Sequence, residues 1–188
     1  MARCIVVHGR IDRNGPGNAS APEETSRVHM TVESSLTQKL LDRIVQSSQH
    51  LIALETANVE ELLAHMRMLA LRSGAAVYAW EPESGIASLR ESGLGVPGSK
   101  RFSDALRYVL QSMHFGVYLF IAFADQMKSA DSVVLRRIAR MPETNGRKLV
   151  FVDGGFEIPE ELEGLFERIA ADDAMQPGLR LRDGRWIQ

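Results

Sequence analysis

Hydrophobic and polar positions alternate in two patterns from residue 50 onward. Short, nearly unbroken apolar runs lie at HLIALET (50–56), AAVYAW (75–80), GVYLFIAFAD (116–125) and GRKLVFVDGG (146–155). Runs that are apolar throughout are typical of strands covered on both faces. A stretch with helical spacing of apolar residues follows each run. The alternation predicts a three-layer α/β core with a parallel sheet of at least four strands and right-handed crossovers.

The stretches between these runs carry signals for helix ends. Asn58 with Glu61 three positions later forms a capping-box pattern, and Gly74 suits the left-handed position after a helix. Ser103 is the expected N-cap of the next helix. The predicted helices cover residues 58–74, 103–113, 129–141 and 158–169.

The two ends of the chain read differently from the core. CIVVHGRI (4–11) and RVHMTV (27–32) read as strands separated by a loop rich in Gly, Pro, Asn and Ser, and residues 34–50 read as a helix. Asp183-Gly184 indicates a tight hairpin. We expect the terminal segments to form a small antiparallel patch beside the core. The predicted division, within one compact domain, is 1–49, core 50–173 and hairpin 174–188.

Composition narrows the class of protein. The 188 residues are 45% hydrophobic, which is enough for one sizeable core, and the net charge of −2 gives no general attraction to nucleic acid or anionic membranes. The single cysteine, Cys4, cannot form an internal disulfide, which fits a reducing compartment. No apolar run reaches the ~18 residues of a membrane helix. We expect a cytoplasmic protein without nucleic-acid binding or membrane insertion.

Polar residues at the C-terminal ends of the predicted strands form the candidate ligand site. Open α/β folds bind ligands in the crevice at these ends. The residues are Glu55, Thr56, Trp80, Glu81, Asp125 and Asp153.

Phosphate chemistry at this place requires groups that the sequence lacks. Asp125 stands where a nucleotide hydrolase would hold Mg²⁺, but Gln126 replaces a glutamate that could act as a base. The link ETANV (55–59) has neither the glycines nor the lysine of a phosphate loop and adds a carboxylate. GLGVPGSK (93–100) has one residue too many between its second glycine and its lysine. We expect no catalytic residues, no metal and no cofactor.

Charged residues form one basic and one acidic group late in the chain. Most such groups are solvated faces, and the alternative is contact between oppositely charged surfaces of partners or of two copies. The basic residues are Arg136, Arg137, Arg140, Arg147 and Lys148, and the acidic residues include Glu160, Glu161 and Glu163.

The order of these elements resembles a known family. LIALETANVEELLAHMRMLALRSGAAVYAW, GVYLFIAFAD, VVLRRIARM and IPEELE resemble the degenerate P-loop-like N-terminal domain of AAA ATPases of the Ycf46 type, over about residues 50–170. The resemblance implies a P-loop-NTPase-like core with Thr56–Val59 at the phosphate loop, Asp125 at the Walker B aspartate and Asp153-Gly154 after the fourth strand. The ATPase domain that follows in that family has no counterpart here, so the resemblance implies no ATPase activity.

Three functional hypotheses remain, and the first is favoured. The first is a non-catalytic interaction or regulatory module that binds another protein or itself. The second is a domain that senses a nucleotide in a non-standard mode through Trp80, Glu81 and the 83–100 loop, or a cyclic dinucleotide through the R-x-x-D string ending at Asp183. The third, a hydrolase or transferase, lacks a pair of catalytic groups.

Overall fold

The computed structural model describes residues 36–142, 146–155 and 157–171, which form one sheet with helices on both faces. In chain order the strands are β1 (Leu51–Glu55), β2 (Val77–Glu81), β3 (Gly85–Ser88), β4 (Gly116–Ile121), β5 (Arg147–Asp153) and β6 (Phe166–Ala170). The helices are α1 (36–46), α2 (Val59–Ser73), α3 (Phe102–Gln111) and α4 (Asp131–Ala139), with 3₁₀ helices at Ala124–Gln126 and Glu160–Leu165. None of these described helices is long and apolar enough to cross a bilayer.

The six strands lie in the order β3-β2-β4-β5-β1-β6, and only β2 and β3 pair antiparallel. The four predicted strands are β1, β2, β4 and β5, and their parallel pairing confirms the three-layer α/β prediction. The apolar run that begins at Val117 lies in β4, one of the two middle strands. Since all the parallel strands end at the same side of the sheet, we call that side the carboxyl edge and the opposite side the amino edge.

Successive residues along the strands pack alternately into two apolar clusters, one on each face of the sheet. In β4, Val117 and Leu119 join the cluster under α1 and α2, whereas Tyr118 and Phe120 join the cluster under α3 and α4. The crossover through α2 runs toward one side of the sheet and the later crossovers run back. Right-handed connections therefore place them on opposite faces. Helix α1 shares the α2 cluster, while the domain division at residues 49 and 173 stays a prediction.

The predicted helix over 158–169 is wrong for most of its length. The chain forms a 3₁₀ helix at Glu160–Leu165 and then strand β6, which pairs parallel with β1. Leu162 packs on one face of the sheet and Ile169 on the other. Local helical spacing is overridden because pairing with the open edge of β1 satisfies backbone groups and divides the apolar side chains between two cores.

The predicted long loop after β2 contains a strand. Residues 85–88 form β3, and the Ser88 amide donates to the Leu94 carbonyl at 2.9 Å, which folds the following segment onto β3. The turn into β3 needs a glycine, since Gly85 has φ +75° and a Cβ there would lie 2.6 Å from Ser99 Oγ. Strand β3 pairs antiparallel with β2, and Ala87 also forms an antiparallel bridge with Gly95. The patch predicted for the terminal segments lies outside the described residues.

The helix-end signals are confirmed for α2 and wrong for α3. At the start of α2, Asn58 Oδ1 accepts from the Glu61 backbone amide at 3.1 Å, and Asn58 Nδ2 donates to the Glu61 carboxylate. At its end, Gly74 has φ +71°. Helix α3 begins one residue before Ser103, whose side chain caps nothing there. Its hydroxyl donates instead to the Asp131 carboxylate at 2.6 Å.

Candidate functional site

The link between β1 and α2 is a tight turn held by its own polar groups. The Thr56 amide donates to the Asp153 carbonyl at 3.3 Å, and the buried Thr56 hydroxyl accepts from the Asn58 amide at 3.3 Å. The Asn58 side chain then satisfies the Glu61 amide. A phosphate loop presents free amides at this place. Here the amides of Thr56, Asn58 and Glu61 are bonded within the chain.

Carboxylates stand at the start of every helix that follows a strand in the described residues. Acidic residues in a first helical turn favour the helix dipole and hold the position that a bound anion would take. They are Glu60 and Glu61 in α2, Asp104 in α3, Asp125 in the 3₁₀ helix after β4, Asp131 in α4, and Glu160, Glu161 and Glu163 in the last 3₁₀ helix. The carboxyl edge is therefore lined by the negative groups of the protein itself.

Two aspartates follow β4, and they have different environments. Asp125 lies exposed in the 3₁₀ helix beside Gln126, and it forms no hydrogen bond or ion pair within the described residues. Asp131 is 3% exposed and accepts from the Ser103 hydroxyl at 2.6 Å and the Lys128 amide at 2.9 Å. Sequence reasoning missed Asp131, although an acidic residue at a helix start was a usable signal. Its role in the fold is to join α3 to α4.

Three residues of the predicted ligand pocket come together at the ends of β1 and β5. Glu55 and Asp153 are register partners, and Thr56 follows directly. The Glu55 carboxylate lies 3.3 Å from the Arg168 guanidinium, and the Asp153 carboxylate accepts from the Gly154 amide at 2.6 Å. Across the described ranges, no three Asp, Glu, His or Cys side chains gather as a metal site.

Trp80 and Glu81 lie apart from that group. The end of β2 lies three strand spacings of ~4.8 Å, or about 14 Å, from Glu55 on β1, and two spacings, or about 10 Å, from Asp153 on β5. Trp80 is 1% exposed and packs against Phe102 and Phe120, while its indole N–H donates to the Ser99 carbonyl at 2.7 Å. The indole belongs to the core. Glu81 is exposed and lines a groove beside α2.

The basic residues of α4 and the acidic residues of the last 3₁₀ helix lie on two elements that pack together. The Ser132 hydroxyl donates to the Glu161 carboxylate at 2.6 Å across this contact. Arg137, Arg140 and the three glutamates are exposed, and Arg136 is half-buried. The three arginines form no ion pair within the described residues.

Arg147 is buried at the amino edge, so its predicted place in a solvated basic group is wrong. It is 5% exposed, and its guanidinium donates to the carbonyls of Val109 at 2.8 Å, Leu110 at 2.9 Å and Ser112. The C-terminal carbonyls of a helix attract cations, which explains the burial. Beside this site burial raises the pKa of Tyr118, opposed by the hydrogen bond of its phenol with Ser112.

Lys148 and His50 act on two other helix ends at the same edge. Lys148 is also buried, contrary to the prediction, and its ammonium donates to carbonyls directly after α1, at 3.0 Å for that of Gln49. The two ring nitrogens of His50 lie 2.8 and 2.9 Å from the carbonyl oxygens of Arg147 and Met141, the latter just after α4. Three buried side chains thus bind the ends of three helices.

The sheet order and the covered faces define a three-layer α/β domain. The profile of the family described as "SpoVK-like AAA ATPase, N-terminal domain" matches residues 37–171, well over half of the 188 residues, and the chain belongs to this family. The resemblance to the N-terminal domain of an AAA ATPase is confirmed. The match also includes nearly all of α1, which the sequence-based resemblance left out. No curated protein matches the chain.

Proposed function

We propose that this domain is a non-catalytic protein-interaction or regulatory module on a degenerate P-loop-like fold, in a cytoplasmic protein. The observation that carries the proposal is the turn at Thr56–Val59. Its polar groups bond within the chain, and the carboxylates of Glu55, Glu60 and Glu61 surround it. Membership of a family of AAA ATPase N-terminal domains is compatible with such a module.

Electrostatics support the absence of nucleotide chemistry at this edge. Two like charges 4 Å apart near a protein surface repel by about 4 kcal/mol. A phosphate at the start of α2 would approach Glu60 and Glu61, and the link offers no lysine to offset them. Asp125, without a phosphate anchor opposite, would supply only one ligand to a magnesium ion.

We propose that the exposed charges of α4 and the last 3₁₀ helix contact a protein partner or a second copy of the chain. Arg136, Arg137 and Arg140 lie in or just after α4, and Glu160, Glu161 and Glu163 lie in the 3₁₀ helix that packs against it. Unpaired charges on one surface favour specific, salt-sensitive association with a surface of matching pattern. Sedimentation velocity at low and high salt tests self-association. Arg137→Glu should abolish any dimer that salt dissociates, and a salt-independent dimer unaffected by this change would exclude the surface.

The decisive test of the module is the melting temperature of the full chain with ATP, GTP or cyclic dinucleotides, each with and without Mg²⁺. A ligand at 100 times its Kd stabilises by about 2.7 kcal/mol, which moves the melting temperature by several degrees. We expect no shift. A shift of several degrees would overturn the proposal in favour of nucleotide sensing, for which Trp80 offers no exposed face. The R-x-x-D string ending at Asp183 lies outside the described residues.

A further inference from the structure

A groove of about 470 Å³ lies between α2 and the β2–β3 hairpin, on the face of the sheet that α1 and α2 cover. Ala79 and Ala87 form its floor, and Leu63 and Leu89 form its apolar sides. Ala79 and Ala87 are cross-strand register partners, so their methyl groups stand side by side.

The groove exists because this cross-strand pair is small. On the opposite face of the same hairpin, the next pair is Trp80 with Ile86, and both are fully buried. On the groove face two alanines leave the space that larger side chains would fill. Leu63, Ala79 and Ala87 remain only half-buried in the part of the chain that the structure describes.

The rim of the groove has opposite charges at its two ends. Glu60, at the start of α2, and Glu81, at the end of β2, line the end nearest the carboxyl edge. Arg67 lies seven residues further along α2, about 10 Å away at a rise of 1.5 Å per residue. Ser84, in the turn between β2 and β3, lies at the same end as Glu81. None of the three charged residues forms an ion pair with another described residue.

We propose that this groove docks a short extended segment of a partner protein. The segment has a basic residue at one position, a small aliphatic residue two positions on, and an acidic residue four positions on, in either chain direction. Alternate side chains of an extended segment point to one face, and four residues span about 13 Å at ~3.3 Å each. That length places the basic residue near Glu60 and Glu81, the aliphatic residue on the alanine floor and the acidic residue near Arg67.

A peptide fits this site better than a small molecule does. Ligand pockets enclose most of their ligand. Here Glu60, Ala64, Arg67, Glu81 and Ser84 are all exposed along the rim, so no residue of the described ranges 36–142, 146–155 and 157–171 covers the groove. The inference rests on the proposed function and gives it a second surface, separate from the charged residues of α4.

The test uses the full chain and arrays of end-capped nonapeptides. One library fixes Lys or Arg at position 3, Val, Leu or Ile at position 5 and Asp or Glu at position 7, and a second reverses the charges. A third, of the same composition, places the two charged residues next to each other. We expect saturable binding to the first or second library and none to the third. Equal binding to all three, or binding to none, would overturn the inference.

Two variants locate the binding on the protein. Ala87→Trp fills the floor, and Glu60→Lys reverses an exposed rim charge, so the second variant remains informative if the first fails to fold. Each should lower array binding by at least about tenfold, because a like charge or a steric clash then faces the peptide. Glu163→Lys, the same charge change on the last 3₁₀ helix, should leave binding unchanged. Loss with Glu163→Lys alone would overturn the groove. None of these outcomes alters the nucleotide result, so failure of the groove and failure of the module are distinguishable.

Discussion

At the amino edge of the sheet three helices end against buried donors, whereas at the carboxyl edge helices begin beside carboxylates. Lys148, Arg147 and His50 bind carbonyls at or just after the ends of α1, α3 and α4. At the other edge the first turns of α2, α3 and α4 carry acidic residues. Both edges therefore complement the helix dipoles with side chains of this chain.

The two edges differ in the backbone groups that they leave free to bind a ligand. Open α/β folds use the carboxyl edge for anions because helix starts there present free amides. In this chain Asn58 caps one start and Asp131 is buried at another. At the amino edge the buried cations of Arg147 and Lys148 donate to backbone carbonyls of this chain. We propose that local charge excludes phosphate from the carboxyl edge, although the topology of the sheet suits phosphate there.

The largest expected effect is at the amino edge. Arg147→Met should destabilise the fold by about 3 kcal/mol, because it removes charge-assisted hydrogen bonds to three carbonyls at the end of α3. Urea unfolding followed by circular dichroism measures the change. Arg137→Met, at an exposed site on α4, is the matched control and should cost within about 0.5 kcal/mol. An equal loss in the free energy of unfolding for both variants would show that the buried hydrogen bonds of Arg147 do not stabilise the fold.

Two glycines with positive φ, Gly85 near the carboxyl edge and Gly74 at the amino edge, allow backbone strain to be compared between the edges. Gly85→Ala should cost about 2–3 kcal/mol, since a left-handed residue is strained by 1–2 kcal/mol and its Cβ would also lie 2.6 Å from Ser99 Oγ. Gly74→Ala, at the amino edge with φ +71° and open space around it, should cost only about 1 kcal/mol. Thermal unfolding of the two variants gives the difference. A larger cost for Gly74→Ala would contradict the packing of the segment around Ser99 onto β3.

The two aspartates after β4 test which carboxylate matters at the carboxyl edge. Asp131→Asn should cost about 1–2 kcal/mol, because it weakens charge-assisted bonds from the Ser103 hydroxyl and the Lys128 amide. Asp125→Asn, in the exposed 3₁₀ helix, should change the free energy of unfolding by less than about 0.5 kcal/mol. The reverse ranking in chemical denaturation would give Asp125 a role that its exposed position does not explain.

The smallest effect is a pH dependence at the amino edge. Burial raises the pKa of Tyr118, so the unfolded phenol ionises first as the pH passes about 10. The stabilisation is present below that pH and is lost as pH rises further. The free energy of unfolding should therefore fall less steeply above pH ~10 in Tyr118→Phe than in the wild type. An unchanged slope in Tyr118→Phe would contradict the buried position of the Tyr118 phenol.

Sequence periodicity was sufficient to predict the layers of this fold, but it was insufficient to predict the two edge strands, β3 and β6. The four predicted strands contain nearly unbroken apolar runs, and the capping residues around α2 are local signals, so both were predictable. FERIA carries helical spacing, and only the open edge of β1 makes it a strand. GIAS is four residues long and begins with a glycine, which is too short a run to show a period.

The candidate site was predictable in its chemistry and less so in its geometry. The missing lysine and glycines at Thr56–Val59 are visible in the sequence, as is the neighbouring Glu55. Strand order, which no local pattern contains, separates Glu81 from that group. Charge alone suggests a surface position for Arg147. Its burial follows from the end of α3, which packing brings to it over 35 residues of sequence.

The most direct test of the proposal that the carboxyl edge excludes phosphate is an amide ¹H–¹⁵N titration of the full chain with millimolar Mg·ATP. We expect unchanged resonances for Thr56, Asn58 and Gly154, since these three amides are bonded within the chain and Glu60 and Glu61 lie in the first turn of α2 beside them. Saturable shifts at these amides that require the nucleotide would show that phosphate binds at the carboxyl edge, and would contradict the proposal of a module that binds no nucleotide there.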